Sequence, residues 1–321
     1  MEVYRGLEEV KYNPKHIITV GTFDGVHRGH QKIIKRMQEI SKINGGETLL
    51  VTFDPHPQFI VKRPEKEPIK LLTTIDERLK LFQKFGLDKV LIIPFTKGFA
   101  ETTGDVFIKQ ILHEKIGFSH ILVGHDHYFG KNREGNYEML VKWSQLLNFI
   151  VEQIPAYIID EITISSTKIR NALSQNQIKF ANKLLGYYYF IDGTVVAGDG
   201  RGNSLGFPTA NIKFDIEHKL VPSNGVYFVF SLIEDKKFFG MANLGFRPTF
   251  RIDKKKTLEV HFLNFSGDLY GKTLTVFFLD FLRDEKKFYS VDDLLIQLKK
   301  DKEYANNLIG SLGLEKNFLI L

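Results

Sequence analysis

The rhythm of apolar positions changes once along the chain. In the first half, short β-branched runs alternate with stretches of helical spacing. IITVG (17–21), TLLVTF (48–53), VLIIPF (90–95), HILVG (120–124) and FIVEQI (149–154) read as strands. After the first of them Ile33, Met37, Ile40 and Ile43 recur at helical spacing, and Asn44-Gly45-Gly46 ends the helix. Thr74 and Glu77 have capping-box spacing ahead of RLKLFQKFG, and helical stretches follow near 105–115 and over 136–148. Strands separated by helices need crossover connections. The expected fold is therefore α/β: a parallel sheet with helices on both faces, with ligands beyond the carboxyl ends of its strands.

After a helical IKFANKLLG segment the pattern becomes a series of short alternating runs: FIDGTVVAG, TANIKF, GVYFVFSLI, KFFGMANLG, TLEVHFLNF and KTLTVFFLDFL. Turn residues separate them, which predicts a compact antiparallel barrel or sandwich. A C-terminal helix follows from Val291, with Ser290 as its N-cap. The boundary is placed between 185 and 186, giving domains 1–185 and 186–321.

Composition narrows the function classes. The 321 residues include no cysteine, which excludes a disulfide framework and thiolate metal sites. No apolar run approaches the roughly 18 residues of a membrane span, and the polar N-terminus is unlike a signal peptide, so the chain reads as cytoplasmic. A net charge of +6 suits phosphorylated small molecules as well as nucleic acid. No basic stripe interleaved with aromatics supports nucleic acid, and no obligate protein partner is expected.

The strongest chemical signal is Gly21-Thr22-Phe23-Asp24-Gly25-Val26-His27-Arg28-Gly29-His30, which joins a strand to a helix N-terminus. There, unpaired N–H groups and the helix dipole favour an anion, Gly29 lets backbone approach a phosphate, and His27 and His30 can donate to its oxygens. A plain Gly-rich turn with two surface histidines is the bland alternative, and the strand–loop–helix placement outweighs it. Gly124-His125-Asp126-His127-Tyr128-Phe129-Gly130, running on to Arg133 and Gly135, follows another strand end. Ser165, Ser166 and Thr167, with Arg170 one turn on, offer a grip for triphosphate oxygens, although such a segment is more often only a helix cap.

In the second half, Gly198 to Asn211 is glycine-rich, and Thr209 and Asn211 alternate on one strand face with hard oxygens of the kind Mg²⁺ accepts beside ATP phosphates. Glu259 lies in a strand, and its residue type and position alone favour an outward-facing glutamate. Gly267-Asp268-Leu269-Tyr270-Gly271-Lys272-Thr273 resembles a P-loop but lacks the spacing and the following helix, so it reads as a hairpin turn. These residues by themselves lead to an ATP-using nucleotidyltransferase joined to a β-barrel of unassigned role.

The motifs GTFDGVHRGH, GHDHYFGKNREG and ISSTKIR resemble those of the adenylyltransferase domain of prokaryotic bifunctional riboflavin kinase/FAD synthetases. GRGNSLGFPTAN, PSNGVY, NLGFRPT, LEVHFLNFSGDLYG and FLRDEKKF resemble the riboflavin kinase domain of the same family, in the same order. The resemblance implies a Rossmann-like nucleotidyltransferase domain followed by a small antiparallel kinase barrel. It implies phosphorylation of riboflavin to FMN by ATP and adenylylation of FMN to FAD with release of pyrophosphate, with Mg²⁺ accompanying ATP. By position it implies Gly21, Phe23, Asp24, Gly29, His30, Ser165, Ser166, Thr167 and Arg170 at ATP in the first domain, with His27 and His30 catalytic. It implies Gly198, Gly206 and Pro208 at ATP in the second, Thr209 and Asn211 at the metal, and Glu259 as catalytic base. Asp126, Phe129, Arg133 and Phe207 are the implied flavin contacts. A nucleotidyltransferase with another acceptor is the nearest rival, and the kinase-like second half argues against it.

Overall fold

The computed structural model describes residues 1–61, 68–198, 202, 205–214, 217–246 and 256–311. The chain divides into two compact units between Ser166 and Thr167.

The first unit is built on six parallel strands: β1 (Glu2–Tyr4), β2 (Ile17–Val20), β3 (Thr48–Asp54), β4 (Lys89–Pro94), β5 (His120–Gly124) and β6 (Ile150–Ile154). Their order is β1-β4-β3-β2-β5-β6. Ile18 and Val20, Leu49 and Val51, Leu91 and Ile93, Ile121 and Val123 turn to one core. There they meet Phe107, Ile108, Leu112 and Ile116 of a wide, π-type helix, Phe107–Ile116. Intervening residues point to the opposite face, on which helix α1 (Arg28–Asn44) packs against β2, β3 and β5. Its buried stripe is Ile33, Ile34, Met37 and Ile40. Ile43, expected in that stripe, is 78% exposed. Ten residues on from Ile33, it has rotated out of the stripe at about 100° per residue. Gly45, with φ +68°, closes the helix in the left-handed conformation, and its N–H donates to the carbonyl of Ser41. The Thr74–Glu77 capping box is present at the start of helix Ile75–Lys84. The short edge strand β1 has no signal in the apolar pattern. The same is true of the hairpin β7 (Ile158–Ile159) and β8 (Ile162–Thr163).

In the second unit all six expected runs are strands: β9 (Phe190–Val196), β10 (Ala210–Lys213), β11 (Gly225–Ile233), β12 (Lys236–Phe246), β13 (Lys256–Phe262) and β14 (Thr273–Arg283). They close into an antiparallel barrel in the order β10-β13-β12-β11-β14-β9. The P-loop look-alike lies in the connection from β13 to β14, and because β12 and β11 stand between those two strands in the barrel it is not the hairpin turn expected from its sequence. Two helices precede the barrel. The first is Ser166–Ser174, all but its first residue in this unit, and the second is Ile178–Leu185. Asn182 fastens the second one: its amide donates to the carbonyl of Phe278 (2.9 Å) and its oxygen accepts from the Tyr189 N–H (2.7 Å). The C-terminal helix, Val291–Ser311, begins at Ser290, whose hydroxyl accepts from the Asp293 N–H. Arg283 at the end of β14 grips buried Asp301 of this helix through Nε and Nη2, at 3.0 and 2.7 Å.

Candidate active sites

The order of the parallel sheet reverses direction at β2, between β3 on one side and β5 on the other. Beyond the carboxyl ends at such a reversal a crevice opens for a ligand. Gly21–His30 leaves β2 at that point, and His125–Gly130 leaves β5. The first loop is sharply folded, with φ +48° at Phe23, +79° at Gly25 and +33° at Val26. At Gly25 a side chain is excluded twice, by that φ and because a Cβ would lie 2.6 Å from Leu72 Cδ1.

His27 is the N-cap of α1. Its Nδ1 accepts from the His30 N–H at 3.4 Å, so a neutral ring carries its proton on Nε2, the donor form. The two imidazoles stack at 3.7 Å, only 13° from parallel, and Phe23 lies 4.6 Å from the His30 ring. Burial holds His30 well below the usual histidine pKa, reinforced by His27 and Arg78. His30 is therefore a neutral hydrogen-bonding group at neutral pH, in front of a helix N-terminus that favours anions.

Asp24 is only 2% exposed, and its carboxylate is occupied from within. It accepts from the N–H groups of Leu72 and Thr73, both at 3.0 Å, and from the Thr73 hydroxyl at 3.2 Å. The Thr73 hydroxyl also receives the Gly25 N–H, and the Ser166 hydroxyl donates to the Asp24 carbonyl at 2.9 Å. Asp24 thus shapes the loop. Gly21, Gly29 and His30 lie with it on the same turn, and Ser165 is half-buried next to Ser166. Thr167 and Arg170 belong to the second unit, on the opening turns of helix Ser166–Ser174, Thr167 exposed and Arg170 half-buried.

The expected flavin contacts of the first unit divide in two. Asp126 and Arg133 are exposed, with the Arg133 guanidinium 4.9 Å over the exposed Tyr128 ring. Phe129 is instead given to the core, 5.8 Å from Phe107. It pairs with Gly135 through N–H to carbonyl bonds in both directions. His127 stacks on Phe129, and burial pushes its pKa down to about 4.

In the barrel, strand register makes the site. Asn211 of β10 lies directly opposite Glu259 of β13, which in turn lies opposite Asn243 of β12. Leu258, Val260 and Phe262 fill the barrel, so Glu259 and His261 point outward. That outward face is covered: Thr209, Asn243, Glu259 and His261 line a cavity of about 360 Å³ that is completed by Leu294 and Leu298 of the C-terminal helix. His261 Nδ1 lies 2.8 Å from the carbonyl of Pro208, which fixes Nδ1 as the protonated nitrogen, and its ring packs on Phe207 at 5.1 Å. A Cβ at Gly198 would fall 2.1 Å from the Asn211 amide, so a larger residue there would displace the Asn211 side chain. Gly206 turns the loop at φ +74° just before Phe207. Thr209 and Asn211 are both half-buried. Asp199 to Arg201, Asn203, Ser204 and Arg247 to Phe250, which carry parts of the two kinase-like motifs, lie outside the described residues.

Asn243 and His261 were missed by residue-type reasoning. The signal for His261 is its place two residues after Glu259 on one strand face. For Asn243 only the register provides it.

Residues 9–168 match the family model for FAD synthetase, and residues 185–309 match that for riboflavin kinase. The chain belongs to the bifunctional riboflavin kinase/FMN adenylyltransferase family. The relative from Listeria monocytogenes is 36% identical over 92% of this chain and 93% of its own. That from Buchnera aphidicola subsp. Schizaphis graminum is 38% identical over 95% and 99%. A crystal structure of a macrolide-efflux protein from Streptococcus pneumoniae superposes with a TM-score of 0.85 at 29% identity, covering 96% of this chain and 99% of that one. Among the described residues of the present chain, no helix is long and apolar enough to cross a membrane. The chain is a riboflavin kinase and FMN adenylyltransferase, with the FAD synthetase part N-terminal and the kinase part C-terminal.

Proposed function

We propose that the loop Gly21–His30 carries adenylyl transfer and the cavity at Glu259 carries riboflavin phosphorylation. The observation that supports this division is how each site uses its carboxylate. Inside the loop, Asp24 is taken up by Leu72 and Thr73. In the barrel, Glu259 sits between Asn211 and Asn243 on the wall of a cavity. The two reactions call for that contrast.

In the kinase step an oxygen of a neutral alcohol attacks the γ-phosphorus of ATP. Its proton passes to Glu259, and ADP departs. Phe207 and the apolar wall of Leu294 and Leu298 receive the flavin ring. Thr209 and Asn211 are the residues that would hold Mg²⁺ with ATP. Their fit rests on two neutral hard oxygens, which suits an ion that takes most of its remaining ligands from phosphate and water. The metal supplies neutralisation of phosphate charge. Gly198, Gly206 and Pro208 shape the nucleotide loop around these side chains.

In the adenylyl step the attacking oxygen belongs to the FMN phosphate, already an anion, so no base is required. It bonds to the α-phosphorus of ATP as pyrophosphate leaves. His27, neutral His30 and the N-terminus of α1 stabilise charge developing on the phosphoryl oxygens. Gly21, Phe23, Gly29, Ser165 and Ser166 frame the triphosphate. Asp126 and Arg133 meet FMN from the loop after β5, and His127 and Phe129 support that loop from behind.

A time course with riboflavin, ATP and Mg²⁺, with the flavins separated by chromatography, tests the reading. FMN rises first and FAD follows. Accumulation of FMN alone would leave the loop without its assigned role.

A further inference from the structure

Behind the phosphate loop lies a charged group that none of the roles above uses. Arg78 sits in the first turn of helix Ile75–Lys84, just after the Thr74–Glu77 capping box, and is fully buried. One of its nitrogens, Nη1, donates to the Thr22 carbonyl at 2.6 Å and approaches the Thr52 hydroxyl at 3.4 Å. Thr22 belongs to the loop that carries His27 and His30, and Thr52 lies on β3. The other edge of the guanidinium, Nε and Nη2, is buried without a hydrogen-bond partner, and so is Nδ1 of His30. A desolvated cation with two nitrogens unmet is expensive to keep, and an apolar side chain would fill the same volume at lower cost. Asp24 and Asp54 offset part of that cost through their charge. What the arrangement secures is a fixed strut from the helix to the loop. Asp24 ties the loop to Leu72 and Thr73, and Arg78, a few residues on, ties it at Thr22. The segment 72–78 therefore grips the loop on either side of the sharply folded Phe23.

We propose that Arg78 is a positioning residue for adenylyl transfer, holding the Thr22 carbonyl so that His27 and His30 face the reacting phosphorus. The proposal rests on the assignment of that reaction to the loop. Misplacing donors that act mainly in the transition state lowers kcat more than it raises KM. A displacement on the order of 1 Å costs about a hundredfold.

The test uses the full chain with FMN and ATP as substrates. Trp143, the single tryptophan, lies in the first unit with its Nε1 donating to Asp105 at 2.7 Å, so its fluorescence reports folding of that unit. In Arg78→Met, kcat for FAD formation is expected to fall about a hundredfold, with the KM for ATP changed far less. Trp143 emission should stay native and riboflavin phosphorylation unchanged. Arg78→Lys, which keeps the charge and one bond, should recover part of kcat. Wild-type kcat in a folded Arg78→Met, or a rise in KM with kcat unchanged, would overturn the proposal. If Arg78→Met loses the native Trp143 signal, Arg78→Lys decides, and unimpaired kcat there overturns it. His30→Ala run in parallel separates the two claims: full FAD formation in that variant removes the loop assignment itself, whatever Arg78 does.

Discussion

The two sites hold their chemistry in opposite ways. At the parallel sheet, the functional groups stand on a largely buried turn whose shape is held by Asp24, Thr73 and Arg78. At the barrel, Glu259, Asn211 and Asn243 stand on neighbouring strands, and the hydrogen-bond register alone brings them together. A loop can be re-aimed by a substitution that never meets substrate. A strand row can be lost only by changing its own residues or slipping its register, which would turn Glu259 into the core. The difference gives the first site many distant points of failure and the second few.

The largest expected effect lies in the barrel. Glu259→Gln should lower FMN formation by about 10²- to 10⁴-fold, the usual contribution of a positioned base, while added FMN is still converted to FAD. Assays of the two half-reactions on one preparation read this directly, and loss of both in a folded protein would remove the division between sites. His30→Ala should give the mirror image, FAD formation down by about 10²- to 10³-fold with riboflavin phosphorylation intact. Asp24→Ala sharpens the contrast, because it removes the carboxylate that ties the loop to Leu72 and Thr73. Three buried donors lose their acceptor, which should destabilise the first unit by about 1–3 kcal/mol in denaturant unfolding followed at Trp143. FAD formation should drop with it, and FMN formation should not. The smallest effect concerns pH. His127 is held down to about 4 in the folded chain against an ordinary value of 6.5. Between those two values the unfolded chain binds a proton that the folded chain refuses, so stability falls as pH falls through this window. His127→Gln should flatten that part of the acid-unfolding curve of the first unit, with His30, shifted in the same direction, preserving some slope.

Most of the architecture was legible in the chain. All six barrel strands, five of the six parallel strands, the capping box at Thr74 and the cap at Ser290 follow from periodicity and short-range hydrogen-bond chemistry. Strand β1 was not, because three residues carry no period and its pairing with β4 is purely tertiary. Within the sites, His27 and His30 were readable because glycines and a strand–helix junction mark them. The actual use of Asp24 was not, since its partners lie about fifty residues away. Phe129 likewise could have served a flavin or the core, and only the ring of Phe107 and the backbone of Gly135 show that it packs inward. Arg78 had no mark beyond following a capping box.

The anchoring of helix Ile178–Leu185 also bears on how such an enzyme could be taken apart or recombined. A barrel severed at residue 186 would retain every strand, yet the carbonyl of Phe278 and the N–H of Tyr189 would lose the Asn182 amide that satisfies both. It would also lose Asn176, which accepts from the Tyr227 hydroxyl at 2.6 Å. The portable module therefore begins upstream of those two asparagines. An exchange of kinase halves between relatives should carry the helical segment along with the strands it caps.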